Sequence, residues 1–409
     1  MSGAHLRPID GVDVEGKTVL IRADVNVPMK DGKVTDATRL ERFAPTVAAL
    51  ADRGAKVIVL SHLGRPNGEH NPVYSLEPVA ERLADILGRP VKFASDCVGA
   101  VAESLAGELK AGEIAVFENV RFHPGEEAND RSFALRLSVV GDIYVNDAFS
   151  CAHRAHASTY QLATILPAYA GPSLMAEVKA LGAALDTPKR PVAALVGGAK
   201  VSSKIGVLEF LVPKMDHLVI GGGMANTFLA ARGYAVGKSL YEPDAMETAE
   251  KVMAMAAESG CKLHLPVDVV VAREFKANAE NETVGIDAIP ADAMALDVGP
   301  KTVQAINAAL ETCATLLWNG PLGAFEIEPF NAATNAVAQA AARLTKSGTL
   351  VTVAGGGDTV AALNAAGVSD DFTYLSTAGG AFLEWLEGRD LPGIDILKSQ
   401  SSLEAATVS

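Results

Sequence analysis

The chain has 409 residues and a formal net charge of −14, with 49% hydrophobic and 21% charged residues. This length predicts two domains, each with its own core, and the composition is typical of a soluble globular protein. We expect no transmembrane helix, because no run of about eighteen apolar residues occurs. The acidic charge argues against broad binding to nucleic acids or membranes. The start lacks a signal-peptide core, and four cysteines without a CxxC pair favour reduced thiols in a cytoplasm.

In the first 160 residues, predicted strands repeatedly end where arginine or histidine side chains begin. These cationic residues are Arg22, His62, Arg65, Arg121, His123, His153, Arg154 and His156. Ligands of an open parallel sheet bind outside the carboxyl ends of its strands. The planar guanidinium group matches both phosphate and carboxylate. The pattern therefore predicts a site for a small, multiply anionic ligand.

Asp24 and Asn26 follow the first of these strands and would repel or ignore a bare anion. Alternate residues at a strand end point the same way, so both side chains can reach one ligand. A ligand with a hydroxyl group would need such acceptors. The pair therefore indicates a sugar-acid phosphate.

Along the first half, apolar residues also recur with helical spacing in two stretches. They are Leu40, Phe43, Val47 and Leu50 in one stretch, and Val79, Leu83, Ile86 and Leu87 in the other. Arg39 follows the turn at 30–33, near a helix start signalled by Thr35 and Asp36. The strands are continuous apolar runs, which is typical of sheets covered by helices on both faces. We predict two doubly wound, parallel-sheet (Rossmann-like) α/β domains joined by a hinge helix near 173–185.

In the second half, the predicted strands end in glycine-rich segments. These segments are 197–200, 221–223, 355–359 and 377–380. Glycine lets backbone amides approach phosphate oxygens, and a following helix adds the positive end of its dipole. Lys200 and Lys204 are four residues apart, so at a helix start they would share one face. The pattern predicts binding of a nucleotide polyphosphate.

Other motifs have simpler interpretations. The segment 233–239 is one residue short of a P-loop and is predicted to be a surface turn. The lack of a GxGxxG motif argues against an NAD-dependent dehydrogenase, which we keep as an alternative. The histidines are interpreted as phosphate donors or structural residues, because no cysteine or carboxylate spacing completes a zinc set.

Taken together, the motifs give the chain a clear resemblance to one family. They are 22–28, 61–66, 118–123, 146–149 with 152–156, 197–200 with Lys204, 318–326, 355–359 and 376–381. In this order, over both predicted domains, they resemble phosphoglycerate kinase from end to end. Ala378 stands where many members have glycine, which weakens any role of that amide in phosphate binding.

The resemblance implies reversible phosphoryl transfer from 1,3-bisphosphoglycerate to ADP, giving 3-phosphoglycerate and MgATP in glycolysis or gluconeogenesis. It implies a cytoplasmic monomer whose cofactor is Mg²⁺, with ATP or ADP as co-substrate. The domain limits that we predict are 1–172 for the triose acid, with 393–409 packing back on it, 173–186 for the hinge helix and 187–392 for the nucleotide.

The resemblance also implies the roles of individual residues. The triose acid is bound by Asp24, Val25, Asn26, Arg39, His62, Leu63, Gly64, Arg65, Arg121 and Arg154. The nucleotide is bound by Gly198, Lys200, Lys204, Gly222, Gly223, Asn319, Pro321, Glu326, Gly355, Gly356, Gly357, Asp358 and Thr359, and Asp358 faces the metal. The catalytic residues are Arg39, Lys200, Lys204, Gly356 and Gly379.

The chemistry of the residues agrees with this implication. A loose phosphoryl transition state needs positioning and charge stabilisation. A carboxylate acceptor is already ionised at neutral pH, so no general base is required. A non-catalytic nucleotide sensor is the other alternative, and it would not need Arg39.

Overall fold

The computed structural model describes residues 6–407 and the side chains of residues 6–399. Residues 1–5 and 408–409, which the predicted domain limits include, lie outside the described residues. The backbone divides into two compact units. The first unit contains the residues up to Lys179 and those from Asp390 onward, and the second unit is Ala180–Arg389.

The first unit is built on a six-stranded parallel sheet. Its strands, with one small hairpin, are β1 Thr18–Ala23, β2 Met29–Lys30, β3 Lys33–Val34, β4 Lys56–Leu60, β5 Val91–Ala94, β6 Ile114–Phe117, β7 Ile143–Asp147 and β8 Ala168–Ala170. Its helices are α1 Thr38–Asp52, α2 Glu77–Leu87, α3 Ala100–Glu108, α4 Pro124–Glu127 and α5 Arg131–Ser138. The strand order is β5-β6-β4-β1-β7-β8, so the winding direction reverses between β1 and β7.

Helix α6 (Pro172–Leu185) follows β8 and contains the point at which the division into units falls. Asp147, at the end of β7, accepts hydrogen bonds from the backbone N–H groups of Ser173 (2.7 Å) and Leu174 (3.0 Å). It also accepts one from the Ser173 hydroxyl (2.9 Å). A carboxylate at this position satisfies N–H groups that have no partner within the first turn of a helix.

The second unit is also built on a six-stranded parallel sheet, and it has a small additional sheet. Its strands are β9 Val192–Val196, β10 His217–Ile220, β11 Lys262–His264, β12 Asp268–Ala272, β13 Asn281–Gly285, β14 Met294–Val298, β15 Thr315–Asn319, β16 Val351–Gly355 and β17 Tyr374–Ser376. Its helices are α7 Ile205–Leu211, α8 Gly222–Ala231, α9 Met246–Ser259, α10 Pro300–Leu310, α11 Ala332–Lys346, α12 Gly357–Ala365 and α13 Gly379–Leu386. The parallel sheet has the order β11-β10-β9-β15-β16-β17, and its winding reverses between β9 and β15.

The additional sheet is antiparallel and has the order β13-β12-β14. The sequence analysis did not predict it. Its outer strand β13 has the sequence NETVG and is largely exposed, so it carries little apolar signal. The chain then returns to the first unit through helix α14 (Pro392–Thr407).

The cores follow the periodicities of the sequence. Strands β1, β7 and β9 are buried along their whole length, as continuous apolar strands between two helical layers should be. All four periodic apolar residues predicted around α1 are buried in it. The prediction of two doubly wound parallel α/β domains is confirmed. Among the described residues, no helix is long and apolar enough to span a membrane.

Candidate active site

The strand order of each sheet directs attention to one edge. Ligands of an open α/β sheet bind at the carboxyl ends of the strands where the winding reverses. In the first unit this point lies after β1 and β7, next to Asp24 and Asn26. In the second unit it lies after β9 and β15, next to Gly197 and Asn319.

In the first unit, Arg39 joins the two acceptors that follow β1. Its Nη1 donates to Asp24 Oδ2 at 2.7 Å and to the carbonyl of Asn26 at 3.2 Å. Arg39 is the second residue of α1, and its side chain is 37% exposed. Ser150, in the loop after β7, donates its hydroxyl to the same Asp24 oxygen. The cation is thus held in place and is still open to a ligand.

A chain of hydrogen bonds continues from Asn26 across the edge. The backbone N–H of Gly64 donates to Asn26 Oδ1 at 3.0 Å, and the Gly64 carbonyl accepts from Arg121 Nη1 at 2.9 Å. Val25 is buried, and its N–H donates to the hydroxyl of Ser61. The carbonyl of buried Leu63 accepts from Asn119 at 2.8 Å. Loops from three strands are therefore fixed to one another.

His62 is held by a partner that the predicted site residues do not include. Arg22 is fully buried, and its Nη2 lies 3.0 Å from His62 Nδ1. Its Nε donates to Ser158 Oγ at 2.8 Å, and Ser158 donates to the buried carboxylate of Glu126 at 2.6 Å. Burial, reinforced by the charge of Arg22, lowers the pKa of His62 far below its usual value. His62 is therefore a neutral imidazole.

The tautomer of His62 follows from this contact. A guanidinium group only donates hydrogen bonds, so His62 Nδ1 is the acceptor and Nε2 carries the proton. Arg22, counted above with the ligand-facing cations, does not face a ligand, because its guanidinium is used inside the protein. Arg22 lies within the central strand β1, one residue before its end.

The remaining arginines of the predicted triose site are exposed. Arg65 lies in the loop after β4. Arg154 lies in the loop after β7, where its Nε donates to His153 Nε2 at 3.1 Å.

In the second unit, Lys204 is bound to the end of β15. Its Nζ donates to Asn319 Oδ1, and Asn319 Nδ2 donates to the carbonyl of Gly355 at 2.7 Å. Thr359 Oγ1 accepts from the N–H of Gly320 at 2.7 Å, next to Gly356, which precedes α12. The structure therefore brings Lys204 and Asn319 together with Gly355, at the end of β16, and with Thr359, in the first turn of α12. Burial lowers the pKa of Lys204, although the nearby carboxylates of Asp358 and Glu387 act in the opposite direction.

The expectation that Lys200 and Lys204 share a helical face is wrong. Helix α7 begins at Ile205, so both lysines precede it. Residues 201–204 form a turn in which the N–H of Lys204 donates to the carbonyl of Val201 at 2.8 Å. The spacing of four was therefore not a helical spacing. Lys200 is exposed.

At this edge two backbone segments approach each other so closely that one position requires glycine. Gly222, the first residue of α8, has φ +68°, and a Cβ there would lie 2.6 Å from the carbonyl oxygen of Gly198. Any larger residue would push the two glycine segments apart.

A cavity of about 350 Å³ opens beside these segments, entirely within the second unit. Six predicted nucleotide residues line it, namely Gly198, Gly222, Gly223, Pro321, Glu326 and Asp358. Its size is within the range of small-molecule sites. The cavity and the Lys204–Asn319 contact lie at the same edge of the parallel sheet. Two residues that line the cavity are at this edge, since Gly198 follows β9 and Asp358 is the second residue of α12.

Comparison with known proteins identifies the family. A sequence profile described as "Phosphoglycerate kinase" matches residues 9–389. The chain belongs to the phosphoglycerate kinase family. Phosphoglycerate kinase of Methylorubrum extorquens (strain PA1) is 60% identical over 391 residues, which is 96% of this chain and 98% of that protein. The protein of the same name from Mesorhizobium japonicum is 61% identical over 396 residues, or 97% and 100% of the two chains.

A solved structure agrees with the sequence relatives. The structure of phosphoglycerate kinase from Coxiella burnetii has a TM-score of 0.91 and 43% identity, and the match covers 97% of this chain and 100% of that one. The predicted family, the α/β fold class and the phosphotransferase with a carboxyl group as acceptor are confirmed. Members of this family use ATP and ADP as co-substrates.

Sequence reasoning missed the apolar residues that line the cavity of the second unit. They include Leu240, Phe275, Met294, Leu296, Val298 and Leu322, several of them from β14 of the unpredicted antiparallel sheet. Phe275 is 63% exposed and lines the cavity. Its exposure cannot be seen in the sequence.

Asp297 is a second residue that sequence reasoning missed. This carboxylate lines the cavity, is 4% exposed and accepts the N–H groups of Val298 and Ala333, each at 2.9 Å. Burial raises its pKa to about 7. It is therefore close to half-protonated at neutral pH.

Asp358 and Gly379 complete the predicted set. Asp358 is the second residue of α12 and lines the cavity, to which its carboxylate offers a hard oxygen donor. One carboxylate together with substrate phosphates is a usual Mg²⁺ environment, so the residues fit that ion. Gly379 is the first residue of α13, directly after Ala378.

Proposed function

We propose that this chain transfers a phosphoryl group between the acyl phosphate of 1,3-bisphosphoglycerate and the β-phosphate of ADP, and that it also runs this reaction in reverse. One observation carries the proposal. Most of the predicted ligand residues of each unit follow the carboxyl ends of its parallel strands, with cationic side chains in the first unit and glycine amides in the second. These chemistries suit a small sugar acid and a nucleotide, respectively.

In the first unit, Asp24 accepts the hydrogen bond that the hydroxyl group of the triose acid donates. Asn26 donates its Nδ2 to the oxygen of that hydroxyl, because its Oδ1 already accepts from the N–H of Gly64. His62 donates its Nε2 proton to the same ligand, because Nδ1 is occupied by Arg22. Arg65, Arg121 and Arg154 bind the anionic groups, with Val25, Leu63 and Gly64 supplying backbone contacts. The support is the set of hydrogen bonds that links Arg39, Asn26, Gly64 and Arg121.

In the second unit, Gly222, Gly223, Gly198 and Pro321 line the adenine pocket, and Glu326 binds the ribose. Lys200, Lys204, Asn319 and residues 355–359 bind the phosphates. Asp358 holds Mg²⁺, which neutralises phosphate charge when bound. The support is that six of these residues line one cavity and that Lys204 is bound to Asn319 next to it.

The reaction breaks the bond between phosphorus and the acyl oxygen and forms one between phosphorus and the terminal oxygen of ADP. The released carboxylate needs no proton, and neither does the acceptor in the reverse direction. Arg39, Lys200 and Lys204, together with the amides of Gly356 and Gly379, stabilise the charge on the transferred group. Arg39 is a suitable donor because it is braced by Asp24 and still partly exposed.

Transfer requires closure about the hinge helix, 173–186. The reacting atoms must come within about 3–3.5 Å, and water must be excluded so that the acyl phosphate is not hydrolysed. Each ligand is bound by a different unit, so both are needed for full closure. Small-angle scattering should show a clear fall in radius of gyration with 3-phosphoglycerate plus a MgATP analogue, and a smaller fall with either alone. Equal scattering of the free and ternary states would contradict closure.

The decisive experiment is an ATP-forming assay with 1,3-bisphosphoglycerate and MgADP, coupled to an ATP-consuming reporter. Turnover that requires both substrates and a divalent cation supports the proposal. A nucleotide sensor would bind MgADP without turnover, and a dehydrogenase would respond to NAD. Gel filtration with light scattering, and fractionation of cells, test the further proposals of a monomer in the cytoplasm.

A further inference from the structure

A second cluster of reactive side chains lies at the β5–β6 side of the first sheet. Asp96, Cys97 and His123 each offer a metal-ligating atom, and these atoms all lie within 4.8 Å of one another. None of the three has a role in the proposed reaction. They combine a carboxylate, a thiol and an imidazole.

The fold brings these residues together from distant parts of the sequence. Strands β5 and β6 pair in parallel, with Ala94 opposite Phe117. Asp96 and Cys97 follow the end of β5, and His123 follows a short helical turn after β6. No ligand spacing is therefore visible in the sequence, although the fold places a cysteine and a carboxylate beside His123.

The present contacts suit replacement of a proton by a metal ion. His123 Nε2 lies 2.8 Å from Asp96 Oδ1, and because a carboxylate only accepts, Nε2 carries the shared proton. On metal binding this proton moves to Nδ1, and the thiol proton leaves to solvent. Ligand bonds of about 2.0–2.3 Å require only a small opening of the Asp96–His123 pair. The side chains of Asp96 and His123 are 40% and 25% exposed, which leaves them room to adjust.

The electrostatic surroundings favour a cation. The carboxylates of Asp96, Glu126 and Glu118 lie close enough to the Cys97 thiol to act on it electrostatically. These negative groups stabilise a bound cation. The other such cluster among the described residues, Asp24–His62–Cys151, is different, because Arg22 and Arg39 already occupy two of its ligands.

We propose that Asp96, Cys97 and His123 bind one divalent ion of intermediate softness, for which Zn²⁺ is the natural probe. Three protein ligands leave a fourth position for water in tetrahedral geometry. The thiolate disfavours Mg²⁺ and Ca²⁺, which prefer oxygen ligands. Arg121 lies two residues before His123, so a bound ion also restrains the segment that carries this triose-site arginine.

The test uses the full chain, freed of metal by dialysis against a chelator. Titration with Zn²⁺ in a calorimeter measures stoichiometry and affinity. Titration with Co²⁺ adds a spectroscopic readout, because a cobalt–thiolate bond gives a charge-transfer band. We expect one equivalent of Zn²⁺ and this band in the wild type.

The variants Cys97→Ser, His123→Gln and Asp96→Asn should weaken Zn²⁺ binding at least about 10- to 100-fold, and Cys97→Ser should lose the cobalt band. Cys261→Ser is the matched control, since it replaces another buried cysteine and should bind as the wild type does. If Cys97→Ser fails to fold by circular dichroism, the partly exposed Asp96 and His123 variants decide. Absence of saturable binding to the wild type, equal affinity in all variants, or loss only in Cys151→Ser would overturn the proposal.

Discussion

We propose that both winding reversals bind anions, and they are built for it with different parts of the chain. In the first unit, side chains brace one another, as when Asp24 holds Arg39 and the Gly64 carbonyl holds Arg121. In the second unit, backbone segments approach one another, and the important property of Gly222 is the absence of a Cβ. A small acid has few atoms and needs charges at fixed points, whereas a polyphosphate can be bound by successive amides. Ligand binding at the first edge should therefore be sensitive to the loss of a charged side chain. Binding at the second edge should be sensitive to replacement of glycine by a larger residue.

The largest effect should come from the buried guanidinium of the first edge. Arg22→Met leaves Glu126 buried without its nearby cation and His62 Nδ1 without a donor. Breaking such a network by removing one partner costs about 3–5 kcal/mol in the free energy of unfolding. Denaturant unfolding followed by circular dichroism should show this loss, and calorimetry should show weaker 3-phosphoglycerate binding with MgADP binding unchanged.

The matched control is Arg42→Met, because Arg42 is exposed on α1. Its unfolding free energy should stay within about 0.5 kcal/mol of the wild type. If both variants behave alike, the buried network does not stabilise the first unit.

Next in size is the loss of the ligand-facing charge. Arg39→Ala should leave folding nearly intact and lower kcat by about 10²- to 10³-fold, the usual cost of one transition-state charge donor. Steady-state kinetics of the coupled assay measure this. Arg42→Ala, three residues along the same helix, should retain wild-type kcat. A kcat for Arg39→Ala within about threefold of the wild type would remove Arg39 from the catalytic set.

The second edge should respond to added volume. Gly222→Ala combines a left-handed backbone, which costs about 1–2 kcal/mol, with a clash against Gly198 worth about 1–3 kcal/mol more. Calorimetry should show MgADP affinity reduced about tenfold or more, with 3-phosphoglycerate affinity unchanged. Gly233→Ala isolates the backbone cost, because Gly233 has φ +86° and open space around it. Equal nucleotide affinity in the two variants would mean that the close approach at Gly222 is not needed.

The last prediction concerns one buried carboxyl in each unit. Burial raises the pKa of Asp147 to about 6 and that of Asp297 to about 7. In the unfolded chain both release their proton near pH 4, so between about pH 4 and the folded pKa the folded state holds more protons. Stability contributed by these groups therefore falls as pH rises, and it levels off above the folded pKa.

Calorimetric melting temperatures at stepped pH measure this effect. The wild type should lose stability relative to Asp297→Asn as the pH rises from about 4 to 7. The corresponding comparison with Asp147→Asn should level off nearer pH 6. A difference that does not change with pH in either pair would show that the carboxyl is ionised throughout.

Much of the fold could be predicted because it depends on local pattern. Continuous apolar runs gave parallel strands, and the period of 3.6 residues gave α1, whose buried residues include Leu40 and Val47. The strand-end rule also directed attention to the edges where Asp24 and Gly222 lie.

What could not be predicted depends on orientation and on distant pairing. Whether Arg22 faces a ligand or the core is set by the strands on either side of β1. Asp297 and Phe275 reach the cavity through an antiparallel sheet whose outer strand is polar. Cys97 meets His123 only because β5 and β6 pair.

Helix α14 has a consequence for the order in which the molecule is made. The N–H of Gly393 donates to the carbonyl of Ala152 at 2.9 Å, and Asn146 donates to the carbonyl of Gly393, across 247 positions of sequence. Asn146 lies in β7, and Ala152 lies in the loop region after β7 that carries Arg154. During translation, residues up to Lys179 leave the ribosome long before α14 does, and domains generally fold as they emerge. The last contacts within the first unit can therefore form only after the whole second unit has been synthesised.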